Sequence, residues 1–373
     1  YGGDFGEEVH DGNFVCDGLV DALSRPYAGT WAWIRALAPD APILRERSQK
    51  SGGEAEERLR ALASAASSLL SPNEAESCAA FDDRGRVESV GELPITAEIS
   101  VYRAPTDNDR GRGPVDYWGI SSDDLGPLGT GTGQWGVSHA QRWEMARLHL
   151  LRRTWHGSSC ESGMRVLIER WAPPAAQFGL EARWTFTPVD GKIEGAPAAA
   201  AISGNCLAVK VEMTPYGQWP ERIPRAGVRL CIPGTDWTAS WVGETDIAYP
   251  DVPGVNPDGY GSGELEDLWD VGVKPQEGGH RPGLKVLELR GEERALNIIP
   301  RSEMGWSASR WSERELAQAG HWEDLPVSDQ TFVWLDAIQD GIGTRSCGPD
   351  ARPEFGARMA ARTMEFILCV TDL

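Results

Sequence analysis

The sequence is poor in positive charge: 36 Lys and Arg stand against 56 Asp and Glu, a formal charge of -20 at neutral pH. A net charge of that sign argues against nucleic acid and anionic membranes as partners, since both call for a basic face. No run approaches the roughly eighteen apolar residues of a membrane helix, and no charged, apolar and small-residue leader opens the chain. No CxxC pair occurs and the seven Cys are scattered along the chain, which argues against the common zinc and dithiol motifs. Scattered and odd in number, these Cys are expected as reduced thiols of a cytoplasmic protein. A repeat of fixed period is missing too, which argues against a propeller or solenoid.

What is present is length and an unusual set of small and large residues. The 373 residues suffice for two or three domains at roughly 150 residues each. The 40% hydrophobic and 25% charged fractions are ordinary, whereas 43 Gly, 25 Pro and 16 Trp point to turns, short strands and sugar-stacking rings. Between Trp31 and Cys78, "EAEERLRALASAASSLL" sets Leu59, Leu62, Ala63, Ala66, Leu69 and Leu70 at steps of three and four, and Ser71-Pro72 stops the pattern. That is one amphipathic helix in a polar connector. From about Ala79 the period becomes two: "FGLEARWTF" puts Leu180, Ala182, Trp184 and Phe186 on one face and Glu181, Arg183 and Thr185 on the other. "CLAVKVEM", "LKVLELR", "TFVWLDA" and "TMEFILCV" repeat it, and a further strand is expected over Ala97 to Tyr102. Long Gly/Pro-rich loops, 104–142 and 249–283, separate these strands and are where binding is expected.

Three stretches carry residues suited to chemistry. The opening "YGGDFGEEVHDGNFVCDGLV" gathers Asp4, Glu7, Glu8, His10, Asp11 and Asp17 among glycines. Carboxylates and backbone oxygens together suit a hard cation or acid/base work, and a solvated acidic loop is the plain alternative. "YRAPTDNDRGRG" has the wrong spacing for an EF-hand calcium loop and reads equally as an Asx-rich turn bonding its own backbone. "LDAIQDGIGTRSCGPD" ends a strand at Asp336 and enters a loop with Cys347, a thiol with no apparent His base. The Trp residues at 118, 135, 143, 155, 184, 269, 306 and 311 offer stacking faces, and core anchoring is the alternative for most.

Together with "KPQEGGHRPGLKVLELRG", these stretches resemble, in order, the carboxyl-terminal part of the β-galactosidases of glycoside hydrolase family 2. The resemblance implies a mainly β fold: an antiparallel β super-sandwich of galactose-mutarotase type over residues 78–373. Ahead of it stand the last segment of a catalytic (β/α)8 barrel (1–30) and a helical connector (31–77). It implies a sodium ion held by the main-chain oxygen of Phe14 and the side chain of Asp17, and a sugar-pocket wall at Cys347. Magnesium is implied for the complete enzyme, with its ligands outside this chain. The implied partners are a β-galactoside, an upstream barrel or large subunit, and further copies of the complete enzyme. Retaining glycosidases need two carboxyl groups about 5 Å apart, and in this family both Glu residues lie upstream of Tyr1, so no catalytic residue is assigned. Departures from the family pattern are "GETDIAYPD" around Glu244 to Asp251, Gln339 where relatives show His, and a connector too short for the family's immunoglobulin-like domain. A non-catalytic carbohydrate-binding sandwich, the small subunit of a split enzyme and a remnant without function are the competing readings.

Overall fold

The structure is a computed structural model. It describes residues 28–38, 52–65, 78–111, 138–161, 163–190, 205–252, 258–270, 272, 274–346 and 350–373. Five α-helices occur among them: α1 (Ala28–Leu37), α2 (Glu54–Ala65), α3 (Asp107–Arg110), α4 (His139–Met145) and α5 (Glu313–Gln318). The first strands are β1 (Ala79–Phe81), β2 (Val87–Val90), β3 (Leu93–Pro94) and β4 (Thr96–Ser100). The meander β5 (Arg152–Glu161), β6 (Met164–Ala172), β7 (Gly179–Asp190) and β8 (Asn205–Tyr216) follows. Then come β9 (Arg225–Pro233), β10 (Thr238–Glu244), β11 (Asp258–Glu264), β12 (Val286–Arg290) and β13 (Arg294–Pro300). β14 (Gly305–Ser309), β15 (Gln330–Gln339) and β16 (Arg362–Asp372) complete the set.

All strand pairings are antiparallel. A nine-stranded sheet runs β11-β10-β12-β13-β16-β8-β7-β6-β5, a four-stranded sheet runs β14-β15-β9-β4, and β1-β2-β3 form a small third sheet. The alternation in β7 decides which face is dry: Leu180, Ala182, Trp184 and Phe186 are at most 2% exposed. They join Val209, Leu296, Ile298, Phe366 and Leu368 from the large sheet, and Val228, Leu230, Val333, Leu335 and Trp306 from the four-stranded one, in a single apolar layer. This is two sheets face to face around a shared core, the expected sandwich.

The connector helix does more than connect. Glu54, Glu56 and Glu57 open α2 where the helix dipole favours negative charge. Leu59 and Leu62, one turn apart, are buried against Val242, Val286, Ile299 and Ile367. α2 therefore covers the outer face of the large sheet, which would otherwise expose those side chains to water.

Two sequence expectations need correction. Not all the Cys are reduced thiols: Cys206 on β8 and Cys369 on β16 form a disulfide. They lie 163 positions apart in the chain but directly opposite in register, with Cα atoms 4.2 Å apart. Only strand pairing brings them together. Cys78, Cys160 and Cys231 are free. Second, the stretch 249–283 is not all loop, because "DGYGSGE" forms β11 along the whole of β10. Its glycines hide it from any propensity argument, yet Gly261 is what leaves room for the Trp241 ring on the neighbouring strand. The strand expected at Ala97 to Tyr102 runs Thr96–Ser100. Residues 1–27, all but the last three of the expected barrel segment (1–30), lie outside the described residues, and α1 runs across the expected boundary at residue 30. Among the described residues no helix is long and apolar enough to cross a membrane.

Candidate functional site

At one end of the four-stranded sheet, "YRAPTDNDRG" meets "KPQEGGH", Asp251 and the stretch that follows β15. The first leaves β4 as Val101 to Ala104 and turns into α3 through a capping box. Thr106 Oγ1 accepts from the Asp109 amide at 3.1 Å, while Asp109 Oδ2 accepts from the Thr106 amide at 2.8 Å. The local turn is thus as read from "TDND", but Asp109 does more. Arg103 Nη2 donates to both oxygens of its carboxylate, at 2.8 and 3.0 Å. Arg103 Nη1 donates to the carbonyl of Asp340, 2.7 Å away at the end of β15. The guanidinium is fully buried and sits over the rings of Trp143 and Tyr249. Burial opposes its charge, but Asp109 and Asp340 outweigh burial and hold the Arg103 pKa above the ordinary range.

A second buried cation, Arg225 at the start of β9, organises the other side. Its Nη2 donates to Glu277 Oε2 and its Nε faces Asp336 Oδ1, both at 3.2 Å, while its guanidinium lies over Trp334. Asp336 also meets His280 Nδ1 at 3.1 Å, and Tyr249 donates its hydroxyl to Glu277 Oε1 at 3.2 Å. The Glu277 amide donates to the carbonyl of Ala104 at 3.1 Å, tying the "KPQEGGH" segment to the "YRAP" segment through the backbone. Gln339, which departs from the family pattern, fits this cluster. With Nε2 turned to the Pro224 carbonyl at 2.6 Å, its Oε1 accepts from Arg225 Nη2 at 3.0 Å. Burial pushes the Asp340 carboxyl up to about 6 against the pull of Arg222 and Arg103.

The rim above these ion pairs is stitched together by short polar side chains. Asn108 donates to the Gly343 carbonyl at 2.8 Å, and its Oδ1 accepts from the amide and hydroxyl of Ser346 at 3.1 and 2.7 Å. Asp107 and Gln276 bond reciprocally, at 2.8 and 3.2 Å. Asp251, from the altered "AYPD" stretch, accepts from the amides of Ile342 and Gly343 at 3.0 and 2.8 Å. Gly343 has φ +62°, a left-handed conformation that glycine takes without strain. Loops from four separate parts of the sequence are therefore held as one wall, and the loop that carries Cys347 is fixed up to Ser346 and again from Asp350.

Cys347, Phe14 and Asp17, the site residues expected from the sequence, all lie outside the described residues. Among the described residues no group of three or more His, Cys, Asp or Glu is placed to hold a metal ion. What sequence reasoning missed is the buried layer of Arg103, Arg225, Glu277, His280 and Tyr249. The available signal was a charged residue inside an otherwise apolar or Pro-flanked run, as in "VYRAP" and "IPRAGV", a pattern that calls for a buried partner.

Fold and site define an antiparallel β-sandwich domain whose loops at one sheet end are locked by buried ion pairs. Residues 74–368 match the family model of the β-galactosidase small chain, and the chain belongs to that family. It is 31% identical over 302 residues to a β-galactosidase of Arthrobacter sp. (strain B7), covering 76% of this chain and 27% of that protein. Against a β-galactosidase of Kluyveromyces lactis it is 20% identical over 458 residues, covering 99% of this chain and 41% of the relative. The chain thus spans between about a quarter and two fifths of these relatives. Among solved structures, a protein of Escherichia coli K12 described as an aldose 1-epimerase aligns over 78% of this chain and 94% of its own, with 12% identity and a TM-score of 0.37.

Proposed function

We propose that this chain is the carboxyl-terminal portion of a retaining β-galactosidase and forms part of the wall of its sugar pocket. The supporting observation is the locked rim. Four stretches far apart in sequence converge on one sheet end through Arg103, Asn108, Asp251 and Glu277, and the loop bearing Cys347 springs from that rim. A rigid wall of this kind positions a substrate and does not itself break a bond, which agrees with a catalytic Glu pair supplied by an upstream barrel or a separate large subunit. On this reading Cys347 lines the pocket. The Phe14 main-chain oxygen and the Asp17 side chain hold sodium, hard oxygen donors for a hard cation. Magnesium belongs to the upstream part, and the complete enzyme is cytoplasmic and oligomeric.

The test is complementation. The chain alone is expected to leave a nitrophenyl β-galactoside intact, and mixing it with the separately expressed upstream barrel of a relative is expected to restore sodium-dependent hydrolysis. No hydrolysis in any such mixture, with both parts folded, sinks the proposal.

One observation favours the carbohydrate-binding alternative. Trp269, Trp311 and Trp322 line a small pocket of about 110 Å³; Trp269 is buried against Trp334, and the half-buried Trp311 and Trp322, edge to face with their indole N–H groups bonded to the Pro326 and Gly272 carbonyls, offer the apolar surface a sugar face would meet. Calorimetric galactoside binding by the isolated chain, lost in Trp311→Ala and indifferent to sodium, would select that reading.

A further inference from the structure

Beneath α2 the outer face of the large sheet is not uniformly apolar. Strand pairing aligns Glu288 of β12, Asn297 of β13, Cys369 of β16 and Cys206 of β8 in one row across four strands. All four are at most 3% exposed. α2 closes over this row: Leu59 and Leu62 share an apolar cluster with both Cys, and Arg58 pairs with the Glu288 carboxylate. The Cys206–Cys369 disulfide is therefore out of reach of a reductant while α2 is docked.

Asn297 supplies a second observation. Its Oδ1 is buried and accepts no hydrogen bond among the described residues. An unmatched buried acceptor is costly, and a disulfide has no proton to offer it. A Cys369 thiol has one, from the directly opposite position on the neighbouring strand. The row is thus better matched in hydrogen bonding as a dithiol and better packed as a disulfide. Unbonded heavy atoms stand roughly 3.5–4 Å apart, and two separate sulfurs need space that a close-packed interior does not hold. β8 and β16 are paired all the way from Arg362 opposite Met213 to Val370 opposite Asn205, whereas α2 is held on the sheet through Leu59, Leu62 and Arg58. The helix gives way before the strands do.

We propose that Cys206 and Cys369 are a reversible redox pair that governs the docking of α2: the disulfide keeps the helix on the sheet and the dithiol releases it. One thiolate of a small dithiol attacks a sulfur of the pair, and its second thiolate resolves the mixed disulfide. Two electrons and two protons pass to the Cys pair, and the reductant leaves as a disulfide. In a reducing cytoplasm, the location proposed above, such a pair is open by default and closes on oxidation. α2 lies ahead of the sandwich in the chain, so the redox state sets how firmly the connector is attached to it. Linkage also runs in reverse, and α2 docking protects the disulfide by the same factor. The proposal does not depend on galactoside hydrolysis.

The test takes the full chain, oxidised with glutathione disulfide and then treated with dithiothreitol, and follows it by alkylation, mass mapping and amide hydrogen exchange. Cys206 and Cys369 should be alkylated only after reduction, while the exposed Cys160 reacts throughout. Reduction should speed exchange over residues 54–65 by about tenfold or more and leave β8 and β16 protected. Leu62→Ala should speed the reduction itself by about tenfold or more, since it opens the cover. Leu230→Ala, which weakens the core away from α2, controls for global unfolding and should speed it far less. Asn297→Leu should shift the equilibrium with dithiothreitol toward the disulfide by about threefold. If Leu62→Ala does not fold, the double variant Cys206→Ala, Cys369→Ala decides: its α2 should stay protected and ignore the reductant, because the crowding sulfurs are gone. Exchange of α2 that reduction leaves unchanged overturns the proposal. So does equal acceleration by Leu62→Ala and Leu230→Ala, an equilibrium that Asn297→Leu does not move, or alkylation of both Cys in the oxidised chain.

Discussion

Between the sheets, Leu296, Phe366, Leu230 and Trp306 are buried among apolar neighbours; at the sheet ends, Arg103, Arg225, Asp336 and Asp340 are buried just as completely among charges. The first region is stabilised by area removed from water, at about 25 cal/mol per Å², and it is non-directional, so neighbouring side chains share any loss. The second is stabilised only while every partner is in place, because an unpaired buried charge is far costlier than an unfilled methyl-sized space. Burial alone therefore does not say what a region is for. An apolar interior holds sheets together, whereas the ionic one fixes the relative position of loops that share no strand pairing.

The sharpest way to break this comparison is Arg103→Met. It strands the Asp109 carboxylate in a buried site and should destabilise the chain by about 3–5 kcal/mol in urea unfolding. Adding Asp109→Leu should return at least about 1 kcal/mol despite loss of the Thr106 cap, since no uncompensated charge is left. If the double variant is as unstable as the sum of its parts, the ionic region is held by shape rather than charge. In the apolar layer, Leu296→Ala should lower stability by about 3 kcal/mol through lost transfer energy and a residual cavity, with no partner able to rescue it. A loss near zero there would mean that the two sheets are not packed as a common core.

The smallest expected effect concerns Asp270, a half-buried carboxyl belonging to neither region. Burial pushes it up to about 6, while Arg281 pulls it down and Asp246 raises it. A carboxyl with a raised folded-state pKa binds its proton more tightly in the folded chain than in the unfolded one. Stability should therefore fall as pH rises from about 4 to about 6 and level off above that. Asp270→Asn should remove about 1–2 kcal/mol of that fall, after allowance for its solvent exposure. An unchanged pH profile of the unfolding free energy in this variant would show that Asp270 is solvated.

Much of the frame was legible in advance because a period-two pattern is a local property. Leu180 to Phe186 and the run within β8 declare their dry face without reference to partners, whereas β12, β15 and β16 are buried on both faces over much of their length, which a local pattern does not show. β11 was illegible because its glycines carry no such pattern, and its position is enforced by the Trp241 ring next door. The rim was half legible. "TDND" announces its own cap, but that Asp109 also neutralises Arg103, and that Asn108 holds Ser346 across 238 positions, depends on loops meeting in space.

By itself, the sequence determined the alternation that makes strands, the amphipathic spacing of Leu59 and Leu62, and the ordered motifs that place the chain in its family. These are encoded within a few residues of one another, where the chain geometry fixes which side chains share a face. Tertiary structure decided the partners. Cys206 found Cys369, and Arg225 found Glu277 and Asp336. A disulfide and a buried ion pair each require groups distant in the chain to lie within a few ångströms, and only the packing of the sheets supplies that.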